Sequence, residues 1–516
     1  MTGDEITALL RDRDYARTLL SQLEVSRAEN AALRVLVEAL QATLGTLRTA
    51  FDDQKTSLDK VLVELQASRR KIFGKSSEKL PSPKDAIKKA DGTEVDPKAG
   101  QEKRKARVEQ RDKISDVRQI PVSVAPELRC CPHCKGTVLK TLGAGRTARI
   151  IEYVPPKFVY ENHVLETLAC PCGEYVVAAE PPDRVFDKSP FGPRLISHVI
   201  VSKLLDAIPH HRLSKSLARQ GVPLSRQTMT DLLHRAAEIL EPLVARMFLL
   251  IAAAEIVQAD ETTQRRQDSR KLAYVWTFLA EVEKRPLIAY RFATDRSGDT
   301  PVAVLGTSAG YLLVDMYSGY NKVTAPKRRR RAACWAHVRR RFWELKQQFP
   351  EADEMIAAIL DLYRVEYEAE ASQIIGTDAH LRLRLDSSFP IVLRIRKWLR
   401  HHHRLHPPRS PLGQAIRYAL GNFRSLMTFL HHPGIRLDNN GSEAALRPIA
   451  LGRKNYLFVG HKIAGENIAV LMSLLTSCVA NGINPEAYLT DVLLRVATQP
   501  VSDIDGILPH RWKPPA

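Results

Sequence analysis

Three acids stand where chemistry could be done. Asp260 closes the apolar run EIVQA and precedes Glu261-Thr262-Thr263, and Asp315 closes YLLV and precedes Met316-Tyr317-Ser318-Gly319-Tyr320. A carboxylate at a strand end projects from the sheet edge, where adjacent strands can aim two acids at one point. The third acid, Glu443, lies in LDNNGSEAALRPIALGRKNYLFVG, where Asn440-Gly441-Ser442 reads as a turn and cap with a helix starting near Glu443. On that helix Glu443, Arg447 and Lys454 share one face, so cations would accompany the carboxylate. Carboxylates are hard ligands suited to Mg2+ or Mn2+. Two such ions about 3.5–4 Å apart stabilise the attacking and leaving oxygens of a phosphoryl displacement. The expectation is two Mg2+, or Mn2+, on Asp260, Asp315 and Glu443, with Arg447, Arg453 and Lys454 on phosphates. Taken singly, each acid reads more readily as a solvated or capping residue. Asp295 (a loop acid), Asp438 (a turn acid) and Glu466 (a later helical acid) compete, and Glu466 lacks the cationic face of Glu443.

Four of the seven cysteines form two tight pairs, Cys131-Pro132-His133-Cys134 and Cys170-Pro171-Cys172. Four thiolates on tight turns suit a closed, structural Zn2+ site with no open position for catalysis. The stretch between the pairs reads as two strands that would bring them together. Cys130 could replace Cys131, His133 reads as a spectator, and four reduced thiols without metal are the alternative. Cys334-Trp335-Ala336-His337 lacks a partner pair and reads first as packing. The run Lys327-Arg328-Arg329-Arg330-Arg331 would attract phosphate or be a solvated face. His401-His402-His403, between Arg400 and Arg404, reads as an exposed basic helix end.

The elements that must position these residues alternate in character, which predicts a multidomain α+β chain. Residues 1–75 carry a heptad seam, with Leu23, Asn30, Val37, Leu44, Phe51, Leu58, Leu65 and Ile72 at a and Leu19, Ser26, Leu33, Leu40, Leu47, Gln54, Val61 and Ser68 at d. That pattern predicts a coiled coil and a homo-oligomer. Residues 76–125 read as a charged, partly disordered linker, 126–182 as the zinc module, and 183–245 as a helical, helix-turn-helix-like unit. Its first helix covers His210–Gln220, its turn Gly221–Leu224, and Ser225 caps the second helix. Residues 246–465 hold the strands EIVQAD, LAYVWTFLAEV, PLIAYRFA and YLLVDM, with a helical insertion at about 345–430. Residues 466–516 read as amphipathic helices and a Pro-rich tail.

The formal net charge of +19 and pI near 9.6 favour a polyanionic partner. No continuous apolar run of membrane-spanning length and no secretion signal are evident, so the sequence points to the cytosol with no membrane partner.

The order of these motifs resembles the transposases of the insertion sequence 66 family. The likeness begins at RRKIFGKSSEKL (69–80) and CPHC…CPC, and continues through VQADET, YLLVDMYSGYN and CWAHVRRRFWE. It ends with LDNNGSEAALRPIALGRKNYLFVG, GINPEAYLTDVLLRV and LPHRW. The resemblance implies a ribonuclease-H-like catalytic domain with an Asp-Asp-Glu triad falling on Asp260, Asp315 and Glu443. It raises Cys334 and His337 to supporting roles and makes residues 45–115 homeodomain-like, against the coiled coil and linker read from the residues. It implies DNA partners, the element's terminal inverted repeats and a target, together with small accessory proteins of the same element. The implied activity is cleavage of element ends and their joining to target DNA in the bacterial cytoplasm, at the nucleoid. The alternatives are an inactive DNA-binding repressor and a nuclease without strand joining.

Overall fold

The computed structural model describes residues 189–515 continuously, most of 158–187, and scattered earlier positions of which 37–51 form the longest stretch. Residues 37–51 are helical, and the seam residues Val37, Leu40, Leu44, Leu47 and Phe51 are all exposed. Most of the remaining heptad positions, most of the linker and the four paired cysteines lie outside the described residues.

Ahead of the main body, β1 (Thr167–Ala169) and β2 (Val176–Ala178) pair antiparallel, and Cys170 and Cys172 fall in the sequence between them. Three helices follow: α1 (Pro193–Leu204), α2 (His210–Arg219) and α3 (Arg226–Ala253). Ser225 caps α3 as its sequence predicts, its Oγ accepting from the Thr228 N–H. The helix then runs across the boundary expected at 245/246. Leu240, Leu243, Val244, Met247 and Ile251 share one core with the sheet, so the helical unit and the strands are packed together.

The sheet contains β3 (Ile256–Gln264), β4 (Ala273–Val282), β5 (Arg285–Ala293), β6 (Tyr311–Val314) and β7 (Arg330–Ala333), in the spatial order β5-β4-β3-β6-β7. The pairs β3–β4 and β4–β5 are antiparallel, whereas β3–β6 and β6–β7 are parallel. Phe278 meets Phe248 of α3 on one face. On the other face Val275 and Phe292 meet α11 (Asn440–Tyr456) and α12 (Lys462–Ala480). Helices on both faces explain why β4 is buried along most of its length and does not alternate. Just before β6, Gly310 has φ +106°, and a Cβ there would lie 2.3 Å from the Glu255 carbonyl, so only glycine lets β6 enter beside β3.

The remaining helices are α4 (Asp299–Leu305), α5 (Trp335–Trp343), α6 (Ala352–Ala371), α7 (Asp378–Leu383), α8 (Phe389–Leu405), α9 (Pro411–Gly421), α10 (Phe423–Leu426) and α13 (Pro485–Arg495). Helices α5 to α10 build a second core on Trp335, Phe342, Ile359, Ile395 and Ile416; they take in the helical stretch expected at about 345–430, here called the insertion, and begin ahead of it at Trp335. One helix departs from the expected apolar limit: α12 is long and apolar enough, by length and composition, to cross a membrane. It is a core helix. Its Ser477 Oγ accepts from the Ile288 N–H and its Ser473 Oγ from the Tyr290 N–H, along the outer edge of β5.

Candidate active site

The parallel pairing places the aspartates. Gln258 pairs with Leu313, an offset of 313 − 258 = 55, and 315 − 260 is also 55. Asp260 and Asp315 therefore stand level on adjacent strands, just beyond the last paired residues. Asp260 is the fifth residue of β3, so it sits within the strand and does not end it as its sequence suggested. What ends beside it is β6. Ligands of α/β sheets gather at such carboxyl ends of parallel strands.

Strand alternation separates Asp260 from Glu261. Asp260 pairs with Thr277 and Thr262 with Val275, so both share the face covered by α11. Helix α11 starts at Asn440, three residues before Glu443 and earlier than the sequence pattern indicates. Its first turn is fastened to β3. The buried Asn439 side chain donates to the Ala259 carbonyl at 2.8 Å, next to Asp260. A Cβ on Gly441 would lie 2.6 Å from Gln258 Oε1, so the helix approaches the strand closely there. Arg453 donates to the Thr263 carbonyl and to the hydroxyls of Thr262 and Thr263, pinning the helix further along.

The CxxH segment serves the same junction. Cys334 is buried, and its Sγ accepts from the Asn439 N–H at 3.3 Å. Burial pushes this thiol up to about 12, so it is inert as a nucleophile. One helical turn later, His337 Nε2 lies 3.8 Å from Glu443 Oε1. Burial pushes the His337 imidazole down against the pull of Glu443 and Asp315. Its Nδ1 is buried without a partner, as are Asn439 Oδ1 and Gln258 Oε1. Burial raises the Asp260 carboxyl to about 7, and the charges of Glu261, Asp315 and Glu443 add to the rise. Asp260 thus feels the charge of both Asp315 and Glu443. Among the described residues, no group of three or more His, Cys, Asp or Glu side chains stands ready to hold a metal ion.

The basic run behaves differently from its sequence reading. Arg329 is 1% exposed, and its guanidinium donates to Ser308 Oγ and to the carbonyls of Ala252, Ala254, Glu255 and Tyr311. It joins the end of α3 to the sheet and cannot reach a phosphate. Arg331 donates to the carbonyls of Asp315 and Tyr317 and to Asn321, so it holds the turn after Asp315. Arg328 donates to the carbonyls of Gly306 and Lys322. Only Lys327 and Arg330 of this run are exposed, as are Arg447 and Lys454 on α11. The competing acids are placed as their positions implied. Asp295 and Asp438 accept from the N–H two residues on, and Glu466 faces Lys462 at 3.6 Å.

On the opposite face of β3 lies a cluster that the sequence did not disclose. Glu261, with its side chain 2% exposed, accepts from Arg296 and from the Tyr320 hydroxyl at 2.6 Å. Arg296 stacks over the Tyr317 ring at 3.9 Å. Arg296 carries no local motif, and only the register of Glu261 against Trp276 shows which face it serves.

Fold and site together define a mixed α/β protein with an acidic site at the carboxyl end of a parallel strand pair. Residues 188–467 match the family described as Transposase IS66 family, residues 473–510 its C-terminal element, and residues 129–173 the zinc-finger binding domain of transposase IS66. Two similar relatives come from Sinorhizobium fredii (strain NBRC 101917 / NGR234). The uncharacterized protein y4qI is 28% identical over 536 residues, covering 98% of each chain. The uncharacterized protein y4jD is 30% identical over 412 residues, covering 76% of this chain and 80% of its own. The chain belongs to the IS66 transposase family. The zinc-finger match spans Cys131, Cys134, Cys170 and Cys172.

Proposed function

We propose that this transposase cleaves the ends of an insertion sequence and joins them to target DNA by phosphoryl transfer at Asp260, Asp315 and Glu443. The observation that carries the reading is the shared offset of 55, which sets Asp260 level with Asp315 on parallel strands under the helix that bears Glu443. The core is then ribonuclease-H-like, in keeping with a mixed five-stranded sheet covered on both faces. The donor set fits hard divalent cations: Asp260 and Asp315 stand level under the helix that bears Glu443, and burial with like charge raises Asp260, a cost that Mg2+ or Mn2+ would relieve. Such ions, when bound, neutralise charge on the attacking and leaving oxygens. The chain's own residues do the rest. Asn439 and Cys334 fix the start of α11, His337 steadies Glu443, and Arg447 and Lys454 offer cations to phosphates from the same helix. Lys327 and Arg330 extend that charge.

The four paired cysteines hold a structural Zn2+, and the exposed seam at residues 37–51 supports self-association through a coiled coil. The helix-turn-helix-like pair, residues 45–115 and the zinc module are the candidates for reading the terminal inverted repeats, with accessory proteins of the element as further partners, in the cytoplasm. Asp260→Asn should abolish Mg2+-dependent strand cleavage and joining while leaving end binding within a few-fold of wild type. Cleavage at the wild-type rate by that variant would sink the assignment.

A further inference from the structure

Between Asp386 and Asp438 the chain has no acidic residue, while it carries nine Lys or Arg and six His. Helix α8 lies within this stretch. Its buried residues Val392, Ile395 and Leu399 turn toward the insertion core. Lys397, Arg400, His401 and Arg404 are all exposed. At about 100° per residue they fall within roughly 100° of arc, opposite the buried stripe and spread over about 10 Å.

Acids of neighbouring α6 and the turn before it engage other groups. Asp361 takes Arg394, Glu354 accepts from the Trp398 indole at 2.8 Å, and Glu351 faces His406 at 3.5 Å. Among the described residues, the outward cations face no carboxylate. An ordinary solvated helix face mixes both signs, whereas this one repels itself unless a polyanion covers it. The next helix, α9, carries Tyr418, whose ring lies 3.9 Å from the guanidinium of Arg341 on α5, the helix that also bears His337. The basic face thus belongs to the same helical layer as His337.

We infer that the outer face of α8 is a docking surface for DNA backbone phosphates, gripping duplex beside the acidic site without reading its sequence. The inference rests on DNA being the partner, as proposed above. Phosphate contacts of this kind position a duplex and carry the salt dependence of binding.

The test uses the full chain and two duplexes of equal length, an element end and an arbitrary sequence, between about 50 and 200 mM salt. In the triple variant Lys397→Ala/Arg400→Ala/Arg404→Ala, the slope of log affinity against log salt should become shallower by about 1 per residue, hence about 3, on both duplexes. The charge-keeping variant Lys397→Arg/Arg400→Lys/Arg404→Lys should retain the wild-type slope. Each variant is compared at an unchanged thermal midpoint. An unchanged slope in a folded triple variant overturns the inference, as does a loss confined to the element end. Wild-type protein that neither cleaves nor joins ends, beside a triple variant that shows the expected slope change, would defeat the catalytic reading and leave this surface standing.

Discussion

Asp260 and Glu261 are neighbours in the chain and strangers in the fold, because a strand turns successive side chains to opposite faces. Asp260 faces α11 and the Glu443 region, whereas Glu261 is satisfied by Arg296 and Tyr320. Arg329 makes the same point about charge: its donors are consumed by backbone carbonyls. Arg329→Ala should therefore destabilise the fold by roughly 3 kcal/mol or more, since several buried carbonyls lose their donor. It should leave the salt slope of DNA binding unchanged, and a shallower slope in a folded variant would return this residue to the DNA. Cys334, raised to about 12 by burial, should resist alkylation by iodoacetamide in the native protein and react only after unfolding. Mass spectrometry of native and denatured samples reads this directly.

At the scale of elements, β5 shows how an exposed sheet edge is closed without another strand. Ser473 and Ser477 on α12 and Asn481 just past its end recur every four residues and meet Tyr290, Ile288 and Pro286, which recur every two on β5. The two repeats match because four helical residues rise about 6 Å and two strand residues about 6.6 Å. The helix thus supplies hydrogen bonds that a neighbouring strand would otherwise make. Ser477→Ala should cost about 1–3 kcal/mol in urea unfolding, because the buried Ile288 N–H loses its acceptor. A cost below about 0.5 kcal/mol would mean that water replaces the hydroxyl. The strands and helices were largely legible from apolar alternation and from signals such as the Ser225 cap. The start of α11 was not, because Asn439 makes no side-chain cap and is instead anchored to the Ala259 carbonyl of β3, 180 positions away.

At the scale of the molecule, two cores share strand β6: Leu312 and Val314 join the one around the sheet, and Leu313 joins the one within the insertion. The insertion is tied together by Glu366, Arg384 and His380. Arg384 makes paired contacts of 2.8 and 2.6 Å to Glu366 and donates to the carbonyls of Phe429, His432 and Pro433. Burial pushes the Glu366 carboxyl up, but its bonds to His380 and Arg384 outweigh that and hold it below the ordinary range. A depressed folded pKa means that the stabilisation is present above the unfolded value and is lost as pH falls through the folded one. Glu366→Gln should cost roughly 3–5 kcal/mol near neutral pH, because Arg384 is left buried and unpaired. The difference from wild type should shrink as the pH drops below the usual Glu range near 4. Thermal midpoints of both proteins across that range test it, and a difference independent of pH would contradict the ion pair.

The sequence by itself determined the acids, the cysteine pairs, the heptad seam and the order of elements, since each depends on residue type and local spacing. It could not say that Asp260 stands level with Asp315 beneath the helix that bears Glu443. That rests on a parallel register between β3 and β6, and on a helix whose first turn is bonded to the strand beneath it. Nor could it separate the cations of 327–331 into buried struts and exposed charges. Burial is a property of the packed whole, and a run of arginines carries no local mark of which of them the fold will enclose.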